Sequence, residues 1–168
     1  RTALMAYFGR FEDSEALQAD VWRACGFAAP TSAAELEAEA LALTDWAALK
    51  AAGQALVASG AKSDGELGRA ILAAVQDQAR GLGGFDNFWG LFCTQAGKPK
   101  ARLGTKAVDA AALTLLTGEQ QRLGDACEKV RSARVAEDSL AALDLARTYV
   151  GLYEGAKDAM GGLDFADL

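Results

Sequence analysis

Histidine does not occur anywhere in the 168 residues. Its absence removes the usual general base near neutral pH, the commonest metal ligand, and every Ser-His or Cys-His nucleophile pair. Any catalysis would have to rest on carboxylates and lysines. Proline occurs only twice and β-branched residues are sparse, while alanine supplies much of the 51% hydrophobic share, a mixture that favours helices over sheets. The three cysteines, Cys25, Cys93 and Cys127, are odd in number, far apart and without a Cys-x-x-Cys pair. They read as small core residues in a reducing compartment. No uninterrupted apolar run approaches the length of a membrane span and no charged-then-apolar leader opens the chain, so the reading is a soluble cytoplasmic protein with no membrane partner. Also missing are a Walker-type glycine loop, a G-x-G-x-x-G turn, an H-E-x-x-H pair and calcium-loop spacing. The net charge of -6 argues against a generally basic nucleic-acid binder but leaves room for a local basic patch.

What is there is helical spacing of apolar residues, punctuated by glycine, serine and proline. One domain is the default at this length. In "DSEALQADVWRACG" Asp13 or Ser14 caps a helix that carries Leu17, Val21 and Trp22 on one face and stops at Gly26. "PTSAAELEAEALAL" sets Ser32 three residues before Glu35, a capping box. "DWAALKAAGQALVASG" carries Trp46, Leu49 and Leu56 to Gly60. "KSDGELGRAILAAVQDQARG" suggests a second capping box, Ser63 with Glu66, ahead of Leu67, Ile71, Leu72 and Val75. Phe85, Phe88, Trp89 and Phe92 then fall on one helical stripe, the pattern of a core anchor more than of a base-stacking platform. From about Thr117 to Met160 the pattern is helical without proline, through Leu123, Cys127, Val130, Leu140, Leu145, Tyr149, Leu152 and Tyr153. A helix of that length outruns a compact domain, so a bend or break is expected near the charged stretch 131–138, and an unbroken helix would need a neighbour to cover its apolar face.

One stretch carries a positive functional signal. Between Asp86 and Asp109 there is no acid, while Lys98, Lys100, Arg102 and Lys106 lie within nine residues, punctuated by Gly97, Pro99 and Gly104. Such a flexible arm can track phosphates by charge and hydrogen bonding without reading base sequence, although taken alone it equally fits a solvated surface loop. Arg131 and Arg134 would widen the patch if they lay on the same side. The neighbouring acids of "GRFEDSE", "AEDS" and "LDFADL" read as helix caps and solvated faces.

The stretches "LFCTQAGKPKARLGTKAV" and "EQQRLGDACEKVRSARVAEDSLAALDLARTYVGLYEGAKDAMGGLDFADL" resemble the UvrD/Rep superfamily of DNA helicases, just before the second half of their first motor domain. Within that superfamily they are most similar to the AddA group, the helicase–nuclease subunits of bacterial double-strand-break repair. The resemblance rests on the phenylalanine-rich helix, the turn with Thr94, Gly97, Pro99 and Lys100, the Thr105–Lys106 pair, and a long helix ending in Tyr153, Lys157, Gly161, Leu163, Asp164, Phe165, Asp167 and Leu168. Gly162 is one glycine more than the family pattern has. The match covers roughly residues 85–168, while residues 1–80 share only an alanine-rich helical character.

The resemblance implies a fragment of a larger helicase: the all-α 1B subdomain, with several short helices and a long C-terminal helix. Such subdomains flank the DNA path and contact its backbone during unwinding. It implies that Lys98, Lys100, Arg102 and Lys106 touch DNA phosphate, and that Asp164, Phe165, Asp167 and Leu168 form the interface with the absent motor domain. That reading accounts for a chain that opens on Arg1 and stops on an apolar segment. The fragment itself would be no enzyme and would hold no cofactor or metal. Its parent would be an ATP-dependent helicase and exonuclease of recombination, using ATP and magnesium, with the remaining helicase domains and an AddB-like subunit as partners. A different class of function, an acidic helical module that binds another protein through an exposed apolar helix face, stands as the alternative. A free-standing carboxylate-lysine enzyme is a third.

Overall fold

The computed structural model describes residues 2–11 and 13–161. Seven helices follow one another among them: α1 (Thr2–Phe8), α2 (Ser14–Ala24), α3 (Ala33–Ala42), α4 (Trp46–Ala58), α5 (Lys62–Ala79), α6 (Phe85–Leu91) and α7 (Ala110–Met160). A single antiparallel bridge, Cys93 with Pro99, is the one β pairing among the described residues. The all-α fold that composition favours is the fold the chain adopts. None of the described helices is long and apolar enough to cross a membrane.

Local chemistry sets most of the helix ends. Asp13 caps α2 by accepting from the Ala16 amide at 2.8 Å, and Asp45 caps α4 by accepting from the Ala48 amide at 2.9 Å. α3 opens directly after Ser32, where the capping pattern puts it. The Ala33 amide, within its first turn, donates to Glu137 Oε1 at 3.0 Å. The capping box predicted from Ser63 and Glu66 does not form. α5 begins at Lys62, ahead of Ser63, and its cap residue Ala61 contributes no side-chain bond. Ser63 is already inside the helix, where its hydroxyl leans on Asp64.

The chain forms two compact units. The described residues of Arg1–Ala33 and Arg131–Leu168 make one, and Ala34–Val130 the other. In the first, Leu17, Val21 and Trp22 of α2 are buried, as are Ala133, Ala136 and Val150 of α7. Arg147 links three helices there: its guanidinium lies over the Phe8 ring at 5.2 Å and donates to Ser14 Oγ at 2.5 Å.

In the second unit, α4 packs on α5 along a glycine contact. A Cβ on Gly68 would stand 2.6 Å from the Gly53 carbonyl oxygen and 2.9 Å from Leu56 Cβ, so the two backbones approach more closely than any side chain permits. The aromatic stripe is core, as its spacing predicts. Phe85, Phe88, Trp89 and Phe92 are all buried, Phe92 completely, with Phe88 against Phe92 edge-on at 5.5 Å and Trp46 against Phe88 at 4.8 Å.

α7 departs from the sequence reading twice. It starts at Ala110, earlier than the Thr117 estimate, because the Asp109 carboxylate caps it through the Ala112 amide at 3.2 Å. It is also a single helix of 51 residues: the break expected in the stretch 131–138 does not occur, and that stretch is helical throughout. Ala133 and Ala136, both fully buried, lie inside that stretch while Arg131, Arg134, Glu137 and Asp138 are exposed. The charges occupy outer positions of a continuous helix whose small inner residues pack, so they give no reason to interrupt it. Toward its end α7 leaves Leu145, Tyr149 and Leu152 on the surface.

Candidate nucleic-acid interface

The basic stretch is a small hairpin followed by an anchored loop, all within the second unit. Its turn is closed by the Gly97 amide donating to the Thr94 carbonyl at 2.9 Å and the Thr94 amide donating to Lys98 O at 2.7 Å. Gly97 sits at φ +72°, the left-handed position that a three-residue hairpin loop requires and that a side chain would disfavour. Below the turn come the Cys93–Pro99 bridge and a bond from the Lys100 amide to Phe92 O at 2.8 Å. Gln120 of α7 holds the base: its Nε2 donates to Phe92 O at 2.9 Å and to Lys100 O at 3.0 Å.

The four predicted cations divide by role. Lys100 is half-buried and its Nζ donates to Leu91 O at 2.8 Å, capping the carbonyl end of α6. Lys98, Arg102 and Lys106 are exposed, and among the described residues no carboxylate pairs with any of them. Between these three the backbone is pinned: Leu103 and Val108 are buried, and a Cβ on Gly104 would stand 2.8 Å from Leu113 Cδ2. The loop is therefore not the flexible arm that its glycines suggest: it presents its charges from a fixed backbone, which lowers the ordering cost of any contact they make.

Asp64 is the main pin, and nothing in the sequence singled it out. It is 2% exposed, accepts from the Thr105 hydroxyl at 2.6 Å and from the Thr105 amide at 3.1 Å, and takes further bonds from Ser59 Oγ at 2.9 Å and Ser63 Oγ at 3.4 Å. The Thr105 hydroxyl is the largest influence holding its carboxyl below the ordinary range. Burial opposes this, and the Ser59, Thr105 amide and Ser63 donors add to it. A buried carboxylate satisfied entirely by uncharged donors thus fixes the residue next to Lys106. Gln120 was equally unmarked, since one polar residue in a helical pattern carries no signal about the carbonyls it will reach.

Lys100, Arg102 and Lys106 share the wall of one open groove of about 850 Å³, and Lys98 is not among its lining residues. Ser63, Asp64 and Glu66 of α5 line it as well. The groove is therefore lined by both signs of charge, cations contributed by the loop and carboxylates by α5. The exposed cations Lys98, Arg102 and Lys106 favour a polyanion, and Glu66 in the groove disfavours one there.

Arg131 and Arg134 are exposed on α7 and belong to the other unit. Asp164, Phe165, Asp167 and Leu168 lie outside the described residues. No group of His, Cys, Asp or Glu among the described residues is arranged to hold a metal ion. Compared with protein-family models, with curated proteins and with solved structures, the chain matches none.

Proposed function

We propose that this chain is a non-catalytic subdomain on the DNA path of an ATP-dependent UvrD/Rep-type helicase, most like the AddA group, acting in double-strand-break repair in the cytoplasm. Its task is to hold backbone phosphates while nucleotide-driven work proceeds in the parent's motor domains, where ATP and magnesium bind. The observation that carries the reading is the set of three exposed cations, Lys98, Arg102 and Lys106, on a hydrogen-bonded scaffold, none of them paired with a carboxylate among the described residues. Each can neutralise one phosphate without reading base identity. Lys100 supports the same surface from beneath, through its bond to Leu91 O, and contributes less directly.

The test is DNA binding by the 168-residue chain at low salt, read as fluorescence anisotropy of a labelled duplex and a labelled single strand. Replacing Lys98, Arg102 and Lys106 together by alanine should abolish most of the binding while leaving helical content unchanged. Equal affinity of the triple variant and the parent protein would remove the reading.

A further inference from the structure

A second cavity, in the same unit and sharing only Ala70 and Leu91 of its lining with the basic groove, is unlike that groove in chemistry. It is a half-open space of about 360 Å³ lined mainly by α5, α6 and the turn between them. Trp46 and Phe88 line its apolar side, their rings 4.8 Å apart, and the indole is held in place by its Nε1 donating to Leu41 O at 3.2 Å. Ala70, Ala73 and Ala74 form the α5 wall, and their small side chains are why the space is unfilled. At the rim stands Leu82, 71% exposed, a large apolar side chain left uncovered.

The polar lining is of one kind. Asp77, Gln78 and Asn87 contribute it, and no lysine or arginine does. Asp77 is exposed and among the described residues no cation pairs with it. A cavity of this size, mainly apolar with a few converging polar groups, has the make-up of small-molecule sites in general. The two rings offer an apolar wall to an apolar body, and the Asp77 carboxylate, with no cation paired to it among the described residues, selects positive charge over negative.

We propose that this cavity binds a small organic cation with an aromatic or alkyl body, an arylalkylammonium in shape and charge. The body lies against Trp46, Phe88 and the alanine wall, Leu82 covers it, and the ammonium is held at the rim by Asp77. The site is independent of the DNA-path reading, because Lys98, Arg102 and Lys106 take no part in it.

Three probes of matched size decide the matter: phenethylammonium, phenethyl alcohol and phenylacetate, titrated into the 168-residue chain and followed by amide chemical shifts. Phenethylammonium should move the amides of residues 70–78 and 87–91 at millimolar concentration, with phenylacetate at least roughly tenfold weaker, a difference of one ion-pair contact. Asp77→Asn, a surface change that leaves the fold intact, should weaken the cation roughly tenfold and leave the alcohol unchanged. Ala74→Leu should block all three. Equal binding of cation and anion, an unaltered affinity in Asp77→Asn, or no shift with any probe would each overturn the proposal.

Discussion

Asp64→Ala removes an acceptor that three close donors share: the Thr105 hydroxyl at 2.6 Å, Ser59 Oγ at 2.9 Å and the Thr105 amide at 3.1 Å. Hydrogen bonds to a charged group are worth about 1.5–3 kcal/mol each, and donors stranded inside the fold add their own cost. Removing the carboxylate also relieves its desolvation, which offsets part of the loss. The net destabilisation should be about 2–4 kcal/mol, or roughly 6–12 °C in melting temperature for a chain of this length. Asp64→Asn keeps an acceptor oxygen but loses the charge, so it should fall between the alanine variant and the parent.

Because the folded-state pKa lies below the ordinary carboxylate value, the contribution of Asp64 is complete above that ordinary range. It fades as the pH falls through the depressed folded value, so the gap between parent and Asp64→Ala should narrow in acid. Circular dichroism melts at neutral and acidic pH measure both effects. A melting temperature for Asp64→Ala within about 1 °C of the parent at neutral pH would refute the claim that this carboxylate pins the loop. The same variant should also weaken DNA binding, since Thr105 would no longer fix the backbone beside Lys106.

Four further substitutions separate core, contact and surface. Phe92→Ala should cost about 3–5 kcal/mol in a denaturant titration, because the ring is completely buried. Gly68→Ala should cost about 1–3 kcal/mol, since its Cβ would press on the Gly53 carbonyl and the two helices would have to part. Lys100→Met, which keeps the stem and loses the bond to Leu91 O, should lower stability by about 0.5–1.5 kcal/mol, whereas Lys98→Met should leave it within about 0.5 kcal/mol.

The parts of this fold that follow from local pattern could be read from the sequence. Asp13 before Leu17, Val21 and Trp22 announced α2, and the spacing of Phe85, Phe88, Trp89 and Phe92 announced a buried stripe. The hairpin's turn was marked by Gly97. What could not be read depends on distant partners. Ser63 and Glu66 match a capping box, yet Asp64 between them is drawn to Thr105, forty-one positions away in the chain, and the helix starts earlier. The charged stretch 131–138 resembles an interruption only until Ala133 and Ala136 are seen buried in it. α1 was not anticipated at all, since "TALMAYF" is too short and too uniformly apolar to show a helical stripe. The division of labour among the four cations was likewise hidden: nothing about Lys100 distinguishes it from Lys98 until Leu91 O is within its reach.

The central claim is that Lys98, Arg102 and Lys106 are held out, unneutralised, for phosphate. The most direct measurement is the salt dependence of DNA affinity for the parent chain and for single alanine variants at these positions. Three phosphate contacts predict a slope of log affinity against log salt near about -2.7 on duplex and about -2.1 on single strands, with each alanine flattening it by somewhat under one unit. A slope near zero in the parent, or one that all three variants leave untouched, would contradict the account.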